Sequence, residues 1–280
     1  MPVTPESHSA RYFALLYSPV PQRLALDALF GIEREISESL RPGLDHHVAH
    51  SRLQWWREEC ERAVVGRPAH PLTRALVDAV TGTGQLAGLS GLVDVAVWDL
   101  AGATFETRRE LAAYCERWSA AMIAPFAPRQ AADAGGTSDV RVTSWSRLGA
   151  AMREIEMLSH LAHEAHYGRL RVPLDELESA KADPGVLAKP PWPAGVVALL
   201  RARHESLRAE ISRALGGVDR VQQPDLRGLL VWAALVRRAS QRTEHALPDR
   251  LHLGRFDAVA DAWFAWRIAR RATIGRFRLI

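Results

Sequence analysis

The segment Leu148-Gly149-Ala150-Ala151-Met152-Arg153-Glu154-Ile155-Glu156-Met157-Leu158-Ser159-His160-Leu161-Ala162-His163-Glu164 decides how the chain is built. Leu148, Met152, Glu156, His160 and Glu164 recur every four residues, so on one continuous helix they form a single stripe, apolar at its start and acidic at its end. Such a stripe suits a cavity wall that leads up to a polar mouth. The helical pattern covers residues 145–167 and stops at Gly168, a residue type favoured just past helix ends. Outward from this helix the same periodicity runs to both ends of the chain, and no alternating strand pattern of useful length interrupts it. Toward the N-terminus it predicts helices over residues 11–18, 21–40, 47–65, 71–80, 85–100 and 107–126, divided by prolines 19 and 21, by Gly66-Arg67-Pro68 and by Thr81-Gly82-Thr83-Gly84. Toward the C-terminus it predicts a short helix from residue 173, an irregular proline-rich stretch over 183–193, and helices over 194–215, 225–247 and 256–273. Residues 128–142, which include Gly135-Gly136, read as an exposed loop. Helices continue in one style on both sides of it, so residues 1–280 read as one domain, an all-α bundle.

Composition agrees with a folded protein and narrows the partners. Of 280 residues, 48% are hydrophobic and 24% charged, which excludes a disordered chain. Cys60 and Cys115 are the only cysteines, too few for a disulfide framework or a zinc motif, and they point to a reducing, cytoplasmic compartment. The polar start has no charged-then-apolar order of a secretory leader. No run approaches the roughly 18 apolar residues of a membrane span. A net charge of +4 and a pI near 9.5 fit a diphosphate, an anionic membrane face or nucleic acid. No recognition motif accompanies the charge, so nucleic acid is set aside.

Three stretches in order along the chain resemble the squalene/phytoene synthase family of head-to-head prenyl transferases. The first is Arg11-Tyr12-Phe13-Ala14-Leu15-Leu16 with Pro21 and Arg23, running into Ala28-Leu29-Phe30-Gly31-Ile32. The second is Arg52-Leu53-Gln54-Trp55-Trp56-Arg57 followed by Gly66-Arg67-Pro68. The third is Gly168-Arg169-Leu170-Arg171-Val172-Pro173-Leu174-Asp175-Glu176-Leu177. The resemblance covers roughly residues 10–275 and implies the isoprenoid-synthase-type helical bundle around a central apolar cavity, with two aspartate-rich helices facing each other at its mouth. Glu35 and the Arg52–Arg57 stretch are most similar to a divergent branch that includes a mitochondrial complex I assembly factor.

The family's reaction ionises an allylic diphosphate, and magnesium held by carboxylates neutralises the leaving group. The resemblance places the first motif on Arg34, Ser37, Glu38 and Arg41. Arg34 matches the family's arginine and Glu38 an inner acid, while Ser37 and Arg41 stand where outer aspartates are expected. Glu33 and Glu35 lie on other parts of the helix surface from Ser37 and read as solvated acids. The second motif falls on Glu156, Ser159, His160 and Glu164, where the family has Asn, Arg, Asp and Asp. Glu38, Glu156, His160 and Glu164 are the candidate metal ligands, and with an imidazole among them a transition ion suits the set better than magnesium. The alternative is a hydrogen-bonded histidine between two acids in a partly buried seam. His163 and His166 read as surface residues.

Arg34, Arg52, Arg169 and Arg171 are the candidate substrate-binding residues. With Arg41, several arginines gather near the mouth and suggest direct binding of an anionic headgroup through charge-assisted hydrogen bonds. Arg171 replaces the aromatic usual in the family. The C-terminal Trp263-Phe264-Ala265-Trp266-Arg267-Ile268-Ala269-Arg270-Arg271 reads either as a bundle helix with a solvated basic face or as a surface that attaches the protein to the inner face of a membrane. Two functions follow. One is a non-catalytic isoprenoid- or lipid-binding or assembly protein, needing no cofactor, with a prenyl diphosphate or anionic lipid as ligand and with a protein partner. The other is an active prenyl transferase condensing two prenyl diphosphates with Mg2+, using Glu35 or Glu38 with Glu156 and Glu164.

Overall fold

A computed structural model describes residues 8–41, 43–80, 82–127, 138–249 and 255–278. Among these, twelve α-helices and no strands are found: α1 (Ala10–Tyr17), α2 (Val20–Ser37), α3 (His46–Val64), α4 (Pro71–Ala79), α5 (Gly91–Leu100), α6 (Arg108–Met122), α7 (Ser138–Ser159), α8 (Leu161–His166), α9 (Leu174–Ser179), α10 (Ala194–Gly216), α11 (Gln223–Ala246) and α12 (Arg255–Thr273). The helix starts follow local chemistry. Ser9 accepts a hydrogen bond from the Tyr12 N–H, and Asp45 accepts from His47 and Val48, satisfying N–H groups that have no partner inside their helices.

α11 runs through the middle. Residues 229–236 are buried without interruption, so this stretch of the helix is apolar on every side, and α11 is covered by α1, α7, α10 and α12. The close seat of α1 depends on Gly228, because a Cβ there would lie 1.8 Å from Ser18 Oγ and 2.6 Å from the Ala14 carbonyl oxygen. Of the tryptophan pair, Trp56 is buried and Trp55 half exposed, the division expected of adjacent helical residues. Cys60 and Cys115 are free and buried.

Three boundaries differ from the sequence reading. Residues 128–137 of the expected loop lie outside the described residues, but Ser138 already begins α7, so the loop reading extended too far. The helix expected from residue 85 starts at Gly91, after a 3-10 turn at Thr83–Leu86. Gly88 and Gly91 explain the delay. They rest on the α6 backbone so closely that a Cβ would lie 2.6 Å from the Ala120 oxygen and 2.4 Å from the Arg117 oxygen. The third difference is the most consequential. The helix expected over 145–167 is broken at His160, whose N–H bonds to Met157 oxygen, three residues back, at 3.1 Å. Just before it, the Ser159 hydroxyl bonds the Ile155 carbonyl, a back-bond that bends helices. The stripe from Leu148 to Glu164 is therefore not one straight face.

A buried histidine links the core to pH. His204 on α10 is 1% exposed, and its Nδ1 lies 2.9 Å from the Ser240 hydroxyl. Burial, and secondarily the Arg208 charge, push its pKa down from 6.5 to about 4. In that interval the unfolded chain takes up a proton that the folded one refuses, so stability falls as pH drops through it, by about 3 kcal/mol. Urea unfolding across this window should show that loss, and His204→Gln should flatten it.

Candidate functional site

At one end of the bundle, the start of α1, the end of α2 with its 3-10 turn Glu38–Leu40, the end of α5, and α7, α8 and the turn after α8 surround a cleft of about 1000 Å³. Ser37, Glu38, Arg41, Glu156, His160, Glu164, Arg169 and Arg171 all line it. The first-motif and second-motif segments are thus brought face to face. Arg34 is not in the lining. It is half exposed, with its guanidinium 3.9 Å from Glu35. Arg52, on α3, is also absent from the lining, and Ser159 turns its hydroxyl back to its own helix and toward Thr243, 3.4 Å away. His163 and His166 are exposed, His163 on the rim.

Inside the cleft the carboxylates are held by arginines. Glu33, beneath the lining, is the inner hub. It is ion-paired to Arg11 and accepts a 2.7 Å hydrogen bond from Trp118 Nε1, while Arg153 lies 4.0 Å away. Arg11 also donates to Glu156 at 3.1 Å, and Arg153 lies 3.8 Å from the same carboxylate. Below them Phe30, Trp118 and Trp232 surround the Arg11 guanidinium, with centroids 5.2, 6.0 and 5.6 Å from it. This is cation–π packing at a desolvated site. Burial pushes the Glu33 carboxyl up. The Arg11 and Arg153 charges and the hydrogen bonds from Arg11 and Trp118 outweigh burial and hold it below the usual carboxylate range.

A second chain of contacts leads outward. Arg153 donates to the Tyr114 hydroxyl at 3.3 Å, and Tyr114 donates to Asp99 at 3.0 Å. Arg171, nearly buried, bridges Asp99 at 2.7 Å and Glu164 at 2.8 Å, and Arg169 stands 3.7 Å from Glu164. By contrast Arg41 and Glu38, on the exposed rim, make no ion pair among the described residues.

Glu33 corrects the sequence reading. It is not a solvated acid, and it lies on the same helix face as Ser37, one turn away. The signal was present, because Leu26, Leu29, Phe30, Glu33 and Ile36 share the helical spacing of a core stripe. Asp99, Tyr114, Arg11 and Arg153 carried no such signal as site residues. They meet only through the packing of α1, α5, α6 and α7.

A working family member would hold magnesium among these donors. Glu156 faces two arginines and Glu164 two more, and the break at His160 separates the two acids onto different helical segments. Among the described residues, no group of three or more metal-binding side chains converges. Arranged this way, the donor set does not fit a magnesium cluster. What it offers is a polar recess with guanidinium groups at its wall and rim, which suits an anion.

Comparison with known proteins fits this geometry. A profile of squalene/phytoene synthase matches residues 4–260. Among solved structures, a dehydrosqualene synthase in complex with ligand superposes with a TM-score of 0.74 at 14% identity, covering 93% of this chain and 92% of that one. Squalene synthase HpnC from Alicyclobacillus acidocaldarius superposes with a TM-score of 0.64 at 19% identity, covering 83% and 87%. No curated protein matches the chain. At these identities the structural likeness speaks for the fold, an all-α bundle of the isoprenoid-synthase type, and the profile speaks for ancestry. Because that profile spans nearly the whole sequence, the chain belongs to the squalene/phytoene synthase family.

Proposed function

We propose that this chain is a squalene/phytoene synthase-like protein that binds an isoprenoid or another lipid by its anionic headgroup, without metal and without prenyl transfer, in a carrier or assembly role. The observation that carries the reading is the pairing inside the cleft. Glu156 and Glu164, the acids a metal would need, are each held by arginine, while Arg41 stands at the rim with no acid of its own among the described residues. A headgroup phosphate entering there meets a free guanidinium first. Charge-assisted and bidentate hydrogen bonds then supply affinity without an ion.

Calorimetric titration with inorganic pyrophosphate and with farnesyl diphosphate, in a chelator, tests the proposal. Saturable binding is expected. Arg41→Glu should weaken it by about tenfold or more, since one charge-assisted contact is lost and a repulsion is added. Arg34→Glu, outside the cleft, should leave it unchanged. Absence of binding without metal would refute this reading.

The second reading, an active prenyl transferase, has its own support. Glu38, Glu156 and Glu164 reach one cleft from both motif segments, so a diphosphate that drew the arginines to itself would release carboxylates toward an ion. Magnesium-dependent release of diphosphate from farnesyl or geranylgeranyl diphosphate, lost in Glu164→Ala, would establish it instead.

A further inference from the structure

The last helix carries both of its tryptophans on the outside. Toward α11 it turns Ala265, Ile268, Ala269 and Ala272, all buried. Away from the bundle it turns Val259, Trp263 and Trp266, exposed by 69%, 57% and 44%. Their spacing of four and three residues places them on one stripe, and Ile274, just past the end of the helix, is exposed as well. A helix that only closed a bundle would have its larger apolar side chains facing in and a polar face in water. Here Phe264 and Ile268 do pack toward the core, but both tryptophans stand in water, and an exposed apolar stripe of this kind marks a contact surface.

Arginines are interleaved with the stripe. The Arg267 guanidinium lies 4.4 Å from the Trp263 ring centroid, and Arg270 lies 5.4 Å from that of Trp266. The two acids of the helix point elsewhere. Asp261 pairs with Arg238 at 2.9 Å and Arg242 at 2.7 Å, and Asp257 lies 3.9 Å from Arg242, all toward α11. The outer face therefore keeps the charge of its arginines. It also extends beyond α12, because a groove joins Trp266 and Arg270 to Arg227 of α11 and to Leu16 of α1, itself half exposed. Arg11, at the other end of α1, belongs to the cleft, so the two surfaces are distinct.

Tryptophan sits well at the boundary between lipid tails and headgroups, with its ring body in the apolar layer and its N–H in the wet one. Arginine extends from the same depth to the phosphates. No described helix is long and apolar enough to cross a membrane. We propose that this face docks the protein on the surface of an anionic phospholipid membrane, with Trp263 and Trp266 in the headgroup layer and Arg227, Arg267 and Arg270 on lipid phosphates.

The test is co-sedimentation of the full chain with vesicles of phosphatidylcholine alone and of an equimolar mixture with phosphatidylglycerol. Binding to the mixed vesicles is expected to exceed binding to neutral ones by about tenfold or more, and to weaken with salt. The paired change Trp263→Ser with Trp266→Ser, and separately Arg267→Gln with Arg270→Gln, should each reduce binding by about tenfold while leaving the urea midpoint in place, since Trp263, Trp266 and Arg270 are exposed and Arg267 is partly so. Failure to sediment with either vesicle, or binding unchanged in both variants, overturns the proposal. Concentration-dependent dimers abolished by the tryptophan changes, without vesicle binding, would overturn it too and give the face to a second copy of the chain.

Discussion

Changing Arg171 to methionine is expected to lower the unfolding free energy by about 3–5 kcal/mol, the cost typical of removing one partner from a buried ion pair. Arg171 is 5% exposed and Asp99 7%, so the carboxylate left behind cannot recover its hydration. It would retain only the Tyr114 hydroxyl as a described donor. The methionine fills much of the same volume, which keeps a packing defect from dominating the result. The melting temperature should drop by on the order of 10 °C for a chain of this size. A second change, Asp99→Asn, made together with Arg171→Met, removes the stranded charge and should restore part of the loss, because taking out both partners costs far less than taking out one. A full additive loss in the double variant would show that the pair does not act as a unit.

Glu33→Ala is expected to cost about 3 kcal/mol and at the same time to raise anion affinity. The stability loss follows from the hub position. Arg11 and Arg153 would share Glu156 alone, and the Trp118 N–H, on a fully buried side chain, would lose its acceptor. The gain follows from the same change, since two guanidiniums next to the cleft would be released from half of their compensation. Pyrophosphate binding measured below the unfolding transition should tighten by roughly tenfold. Loss of both stability and affinity would mean that Arg11 and Arg153 collapse away from the cleft when Glu33 is gone.

The fold was readable because helix periodicity and its punctuation are local. Proline and glycine stops, and the periodic apolar positions between them, each depend on residues close in sequence. The candidate site was readable only in its segments. Motif order placed Glu38, Arg41, Glu156, His160, Glu164, Arg169 and Arg171 around one cleft. It did not show what each side chain touches, since Asp99, Tyr114 and Arg11 come from helices far apart in the chain. The break at His160 was missed because Leu148 to Glu164 satisfies the helical period without fault. A hydroxyl at Ser159 and a single shifted hydrogen bond outweigh that regularity. Glu33 is a different kind of omission. The stripe it belongs to was visible, but an acid in a core stripe reads as exposed unless its cationic partners are known.

The arginine–carboxylate chain also bears on how such a protein can change over time. On the proposed reading, opening Glu156 and Glu164 to a magnesium cluster would mean drawing Arg11 and Arg153 from the one and Arg169 and Arg171 from the other, and replacing Arg171 alone strands the buried Asp99. Those steps are costly before any of them is useful. The severed α7–α8 helix adds a second barrier, because restoring an aspartate at position 160 would not by itself realign the acids on either side of it. The mutual neutralisation of these groups thus acts as a ratchet. On that reading, a change at one member of a pair is costly until its partner changes too.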